Sequence, residues 1–254
     1  PKCALFYERA NGNQNVLAAS PWLLPYAPKT NHTKELLAQC DTLPAVICIR
    51  SREAMPTLLS RLKRWTVVSC GDMQFNFRFM DTRRLPAIHR GLTPQQRIQL
   101  FGAHDHWAFV NRRGLWEHLD AQDDAAPLTG ASSQWEDFSP PDLDDDQFAA
   151  LLSDSEPDEV VAAIWDDLPE RCATRTTLPP AEVHQSAQLA LKQADCAGWF
   201  ASPDRMTICR WVLEQDAPAR LALLQDIERW NPDQTVEDAL QKLEATSHMA
   251  SGHV

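Results

Sequence analysis

Apolar residues along the first half of the chain fall into short runs whose spacing changes from element to element. Cys3–Tyr7 reads as an opening strand, and Val16–Ala27, containing Ser20-Pro21-Trp22-Leu23-Leu24, as a second apolar element broken by prolines. Lys34–Gln39 predicts a short helix, and the β-branched run Ala45–Ile49 a buried strand. From Ser51 the period lengthens: Met55, Leu58, Leu59, Leu62 and Trp65 lie three and four residues apart, which predicts a helix over Ser51–Trp65 capped by Ser51. Thr66–Ser69 and Gln74–Phe79 then predict two strands around a turn at Cys70–Met73, with Phe75, Phe77 and Phe79 on one face. A helix over Arg83–Arg90 and another opening at Thr93-Pro94 and closing at Phe101-Gly102 follow, and Trp107–Val110 predicts a last strand.

The second half carries helical spacing alone, over Ala181–Cys196, Pro203–Gln215, Ala217–Trp230 and Val236–Ala245. Ser202-Pro203-Asp204 and Thr235 mark helix starts, and Leu221, Leu224, Ile227 and Trp230 line one face. The expected fold is an α/β N-terminal lobe over residues 1–120, a mixed sheet with short helices, followed by an all-α helical lobe over residues 161–254.

Charge changes how the middle is read. Residues 1–49, 50–113, 114–170 and 171–254 carry net charges of +1, +8, −17 and −3, and the third block has no Lys or Arg. Such a block repels itself, and Asp123–Glu159 adds four prolines and Asp144-Asp145-Asp146, so residues 121–160 read as an acidic connector, mobile or loosely packed, or as a strap across the basic block. The basic block invites a nucleic-acid reading, but its arginines flank leucines in an amphipathic helix and the whole chain carries −11, so no nucleic-acid partner is expected. No apolar run reaches membrane-spanning length and no secretory signal core opens the chain, so a cytoplasmic protein with no membrane partner is expected. Seven cysteines, an odd number without a C-x-x-C pair, predict reduced thiols, with Cys48, Cys196 and Cys209 as small buried hydrophobes.

Candidate chemistry is sparse. His104-Asp105-His106 would place both histidines on one face of a strand, with His89 or His118 as further ligands, and this is the basis of an alternative reading as a metal-dependent hydrolase. Asp142, Asp144 and Asp146 alternate as in a calcium loop but lack its glycine and terminal glutamate. Neither a nucleophile elbow nor a glycine-rich phosphate loop is present, so no catalytic residue, cofactor or metal is assigned.

The segment Phe77-Arg78-Phe79-Met80-Asp81-Thr82-Arg83-Arg84-Leu85 resembles the signature of the type VI secretion effector-adaptor family, in which a Phe-Arg-Phe strand runs through an Asp-Pro-Arg turn into a helix. Thr82 stands where that family has proline. The Ala19–Leu24 segment, the Leu58–Leu62 helix, and Leu100-Phe101-Gly102 before Trp107 follow in the family's order, so the resemblance covers about residues 1–116. It implies an adaptor that binds the C-terminal region of a VgrG spike protein and a cognate toxic effector. Phe77, Arg78, Phe79, Asp81, Arg83, Arg84, Arg61, Arg64 and Trp107 are then the candidate signature and contact residues. An immunity-type protein neutralising a toxin through its acidic segment is a further alternative. Arg78 and Asp81 are expected to form a bidentate pair that holds the turn, so that Arg78→Ala lowers stability.

Overall fold

The computed structural model describes residues 3–6, 11–26, 31–119, 139–215 and 235–242. The chain divides into two compact units, Pro1–Asp154 and Ser155–Val254.

The first unit carries the α/β grammar. β1 (Cys3–Ala4) pairs antiparallel with β2 (Trp22–Leu23), and between them lies α1 (Gln14–Ala18), capped by Asn13, whose side chain accepts the Asn15 N–H. α2 (Asn31–Gln39) leads to β3 (Ile47–Arg50). α3 begins at Met55 and ends at Arg64, four residues later than Ser51. Pro56 fixes that start, because proline is tolerated only in a first helical turn, and Ser51 instead accepts the Glu53 N–H at 3.0 Å.

β4 (Val67–Cys70) and β5 (Met73–Asn76) form a hairpin whose tight turn uses Gly71 at φ +56°. The ladder stops at Asn76 because β4 has no further residue to offer beyond Thr66, whose carbonyl accepts the Phe77 N–H at 3.0 Å. α4 (Leu85–Gly91) again starts with proline in its first turn. α5 (Pro94–Phe101) has the expected cap, a full capping box between Thr93 and Gln96. β6 (His106–Val110) is the centre of a three-stranded antiparallel sheet, β3-β6-β7, and β7 (Trp116–His118) was missed by the sequence reading because all three of its side chains are exposed. Among the described residues parallel pairing is confined to one bridge, Ser69 with Asp142. The core gathers Leu58, Leu62, Trp65, Phe77, Phe79, Leu85, Ile88, Leu100 and Phe109, all buried.

Over its described part the acidic middle is held by residues of the basic block and then forms a helix. The Ser69 N–H donates to the Pro141 carbonyl and the Leu143 N–H to the Ser69 carbonyl, both at 2.9 Å, and Leu143 is buried. α6 then runs from Asp145 to Ile164. Its start is written in the acidic tract: Asp144 accepts the Gln147 N–H at 2.8 Å and the Gln147 side chain accepts the Asp144 N–H at 3.2 Å, a reciprocal cap, while Asp145 and Asp146 complement the helix N-terminus. Residues 121–138 of the expected connector lie outside the described residues.

The second unit is helical throughout its described residues. α6 enters it at Ser155, a 3-10 turn (Trp165–Asp167) and α7 (Ala173–Thr176) follow, and α8 (Pro180–Cys196) packs on α9 (Ser202–Glu214). α8 presents Val183, Ala187, Ala190, Leu191 and Ala194 to the core, and the small alanines admit Ile208, Cys209 and Val212 of α9 closely. Arg205 joins α6 to α9 inside this unit: both Glu156 oxygens accept from it, at 2.6 and 2.7 Å, and Asp195 accepts a further bond. Ser202 does not cap its helix, since Ala201 holds that position, whereas Thr235 accepts the Asp238 N–H at 3.2 Å and residues 236–242 are helical. Ala217–Trp230, with Leu221, Leu224, Ile227 and Trp230, lies outside the described residues.

All seven cysteines are free thiols. Cys209 is the buried hydrophobe expected, its thiol pushed up to about 12 by burial, but Cys48 and Cys196 are exposed, because β3 turns Cys48 to solvent and Cys196 lies on the outer side of α8.

Candidate functional site

Side chains alternate in direction from Phe75 to Met80, where β5 runs out into the turn, and the two sides have different fates. Phe77 and Phe79 point into the core, Phe77 with its ring 5.8 Å from Trp65 and 6.5 Å from Phe79, while Phe75 is half-buried against Phe148. Asn76, Arg78 and Met80 therefore point the other way. There they meet Phe6 beside β1, Val16 of α1 and Pro21 before β2, and together these residues line an open groove of about 840 Å³. The β1–β2 ribbon shapes the far wall: the Leu5 N–H donates to the Pro21 carbonyl at 3.0 Å and the Phe6 N–H to the Ser20 hydroxyl at 3.0 Å.

The charged pair of the turn is not the expected one. Arg83, not Arg78, grips Asp81: its guanidinium donates to both carboxylate oxygens, at 2.8 and 2.6 Å, and its backbone N–H donates to Oδ1 at 3.1 Å. The Asp81 N–H closes the turn on the Arg78 carbonyl at 3.0 Å. A two-residue separation lets the Asp81 side chain form the fork and the local backbone bond at once, whereas Arg78 leaves the strand on the opposite side. Burial pushes the Asp81 carboxyl up, but the Arg83 fork, with Arg83's charge and N–H and a smaller pull from Arg78, holds it below the usual carboxylate range. The Arg78 side chain is exposed, and its guanidinium makes no hydrogen bond or ion pair with any described residue.

Thr82 is fully buried, and its hydroxyl has no hydrogen-bond partner among the described residues. A buried hydroxyl without a partner costs free energy that an apolar isostere avoids. Thr82→Val is expected to raise stability by about 1 kcal/mol, read as a higher denaturant midpoint at unchanged slope.

The remaining candidates serve the scaffold. Arg61 is buried on the inner side of α3, donating to Glu53 at 2.9 Å, to the Leu100 carbonyl and to Asp105. Arg64 donates to the Ser139 carbonyl at 3.3 Å, and Arg84 to the Leu151 carbonyl at 2.9 Å. Trp107 is buried edge-on against Phe101, 5.0 Å between ring centres, and its indole N–H donates to the Phe101 carbonyl at 2.9 Å. Gly102, at φ +82°, lets the chain turn after α5; a Cβ there would stand 2.6 Å from the Asp105 carboxylate. The histidine pair is split by this arrangement. His104 sits in the bend, His106 opens β6, both exposed, and Asp105 between them turns inward to Arg61. His89 stacks near Phe101 and His118 is exposed on β7. Among the described residues no group of three or more His, Cys, Asp or Glu could hold a metal ion, and no helix is long and apolar enough to cross a membrane. The groove was missed by the sequence reading; the signal was the polar half of the Phe75–Phe79 alternation.

Residues 2–99 match the model of a domain of unknown function, DUF4123. No curated protein and no solved structure matches the chain.

Proposed function

We propose that this protein is a non-catalytic cytoplasmic adaptor that binds the C-terminal region of a VgrG spike protein of the type VI secretion machine and a cognate toxic effector, and so loads the effector for secretion. The segment that resembles the effector-adaptor signature lies within the matched residues 2–99. One observation carries the reading furthest: the signature holds a rigid aromatic frame on one face while its arginine, Arg78, stands on the lip of an open groove. Concave, mostly apolar surfaces with a few placed polar groups suit recognition of another molecule. A protein partner fits this groove, because among the described residues Arg78 is its single cation, set on a mostly apolar wall, and offers too little charge for a phosphate backbone.

The test is co-purification of the intact chain with the spike protein and the toxin encoded beside it. The expected result is a complex containing all three; recovery of neither partner, together with turnover of a substrate by the pure protein, overturns the proposal.

A further inference from the structure

We infer that the groove between the signature strand and the β1–α1–β2 segment takes an extended stretch of a partner protein in which an aliphatic or aromatic side chain lies next to a carboxylate. The inference rests on the adaptor reading and names the chemistry of its contact.

The charge on the lip is unspent. Asp81, the carboxylate nearest to Arg78 along the turn, has both oxygens occupied by Arg83, so Arg83 and Asp81 cancel and leave the Arg78 guanidinium for an incoming anion. A guanidinium binds a carboxylate through two parallel N–H donors, which fixes direction as well as attraction. The wall below it is mostly apolar: Phe6, Val16, Pro21 and Met80 are each half-buried, leaving surface for an incoming side chain to cover, while Asp81 lines the same groove with its carboxylate held by Arg83. Met80 is unbranched and polarisable, so the wall accepts leucine, methionine or phenylalanine with little loss. The side-chain amide of Asn15 lies on the same surface and offers donors and an acceptor to an extended main chain. An acidic position two residues from an apolar one in an extended segment reproduces this layout, since side chains at i and i+2 lie on the same face.

The experiment uses the full chain and overlapping synthetic peptides that tile the spike protein and the toxin. The peptides captured are expected to contain Asp or Glu within two residues of Leu, Ile, Met or Phe. Arg78→Glu is expected to weaken their binding about tenfold or more, Arg78→Lys to recover part of it, and a peptide with Lys in place of its acidic residue to restore binding to Arg78→Glu. Arg78 is exposed, so an unchanged melting curve shows that the variants remain folded. Capture of no peptide, capture of peptides without a carboxylate, or equal binding by Arg78→Glu each overturns the assignment. If the intact spike and toxin still co-purify under any of those outcomes, the adaptor reading stands without this groove; if neither co-purifies, both fall.

Discussion

Arg61→Ala is expected to lower unfolding free energy by about 3–5 kcal/mol, one of the largest losses available to a single side chain in this molecule. The guanidinium is buried, as is the Asp105 side chain it holds, and the same group bonds the Leu100 carbonyl at the end of α5. Truncation strands a carboxylate and a helix-terminal carbonyl without a donor, and those unpaired groups, more than the lost attraction, set the size of the effect. Glu53 contributes little to it, because its side chain is about one third exposed and water can replace the arginine there. Denaturant unfolding checks this: the midpoint should fall with the slope unchanged, and a loss under about 1 kcal/mol would mean that Asp105 reaches another donor.

Phe79→Ala is expected to cost a similar amount, about 3–5 kcal/mol, through lost burial and the cavity left behind. Phe79 is 2% exposed and its ring neighbours Phe77, which in turn meets Trp65, so truncation opens the centre of the first unit's core. Next to it, Arg78→Ala should change stability by no more than about 0.5 kcal/mol, as at other exposed positions. The contrast between adjacent residues, measured by unfolding of the two variants, separates frame from contact; a large loss at Arg78 would return it to the turn-holding role expected from sequence.

The α/β-then-helical order was readable from spacing because the relevant signals are local. Thr93-Pro94-Gln95-Gln96 specifies a cap whatever lies around it, and Ala181–Cys196 repeats with helical period along its whole length. Asp144-Asp145-Asp146-Gln147 carried an equally local signal, a cap closed by Gln147, but the block's charge was read as repulsion when its acids serve a helix N-terminus. The inward aim of Arg61 was legible too: it lies three residues after Leu58 and four before Trp65, on the apolar stripe itself. What no local pattern contains is the partner of Asp81 or the existence of the groove. The first depends on which side of the turn each arginine leaves, and the second on β1 pairing with β2 and bringing Phe6, Val16 and Pro21 opposite Met80.

Neighbouring side chains along residues 76–80, from the end of β5 into the turn, look in opposite directions, so parity along the chain divides two environments within a few residues. Phe77 and Phe79 are committed to the core, while Asn76, Arg78 and Met80 line the groove. Under the proposed reading, substitutions at 76, 78 and 80 are expected to change what the groove takes while leaving the buried frame in place.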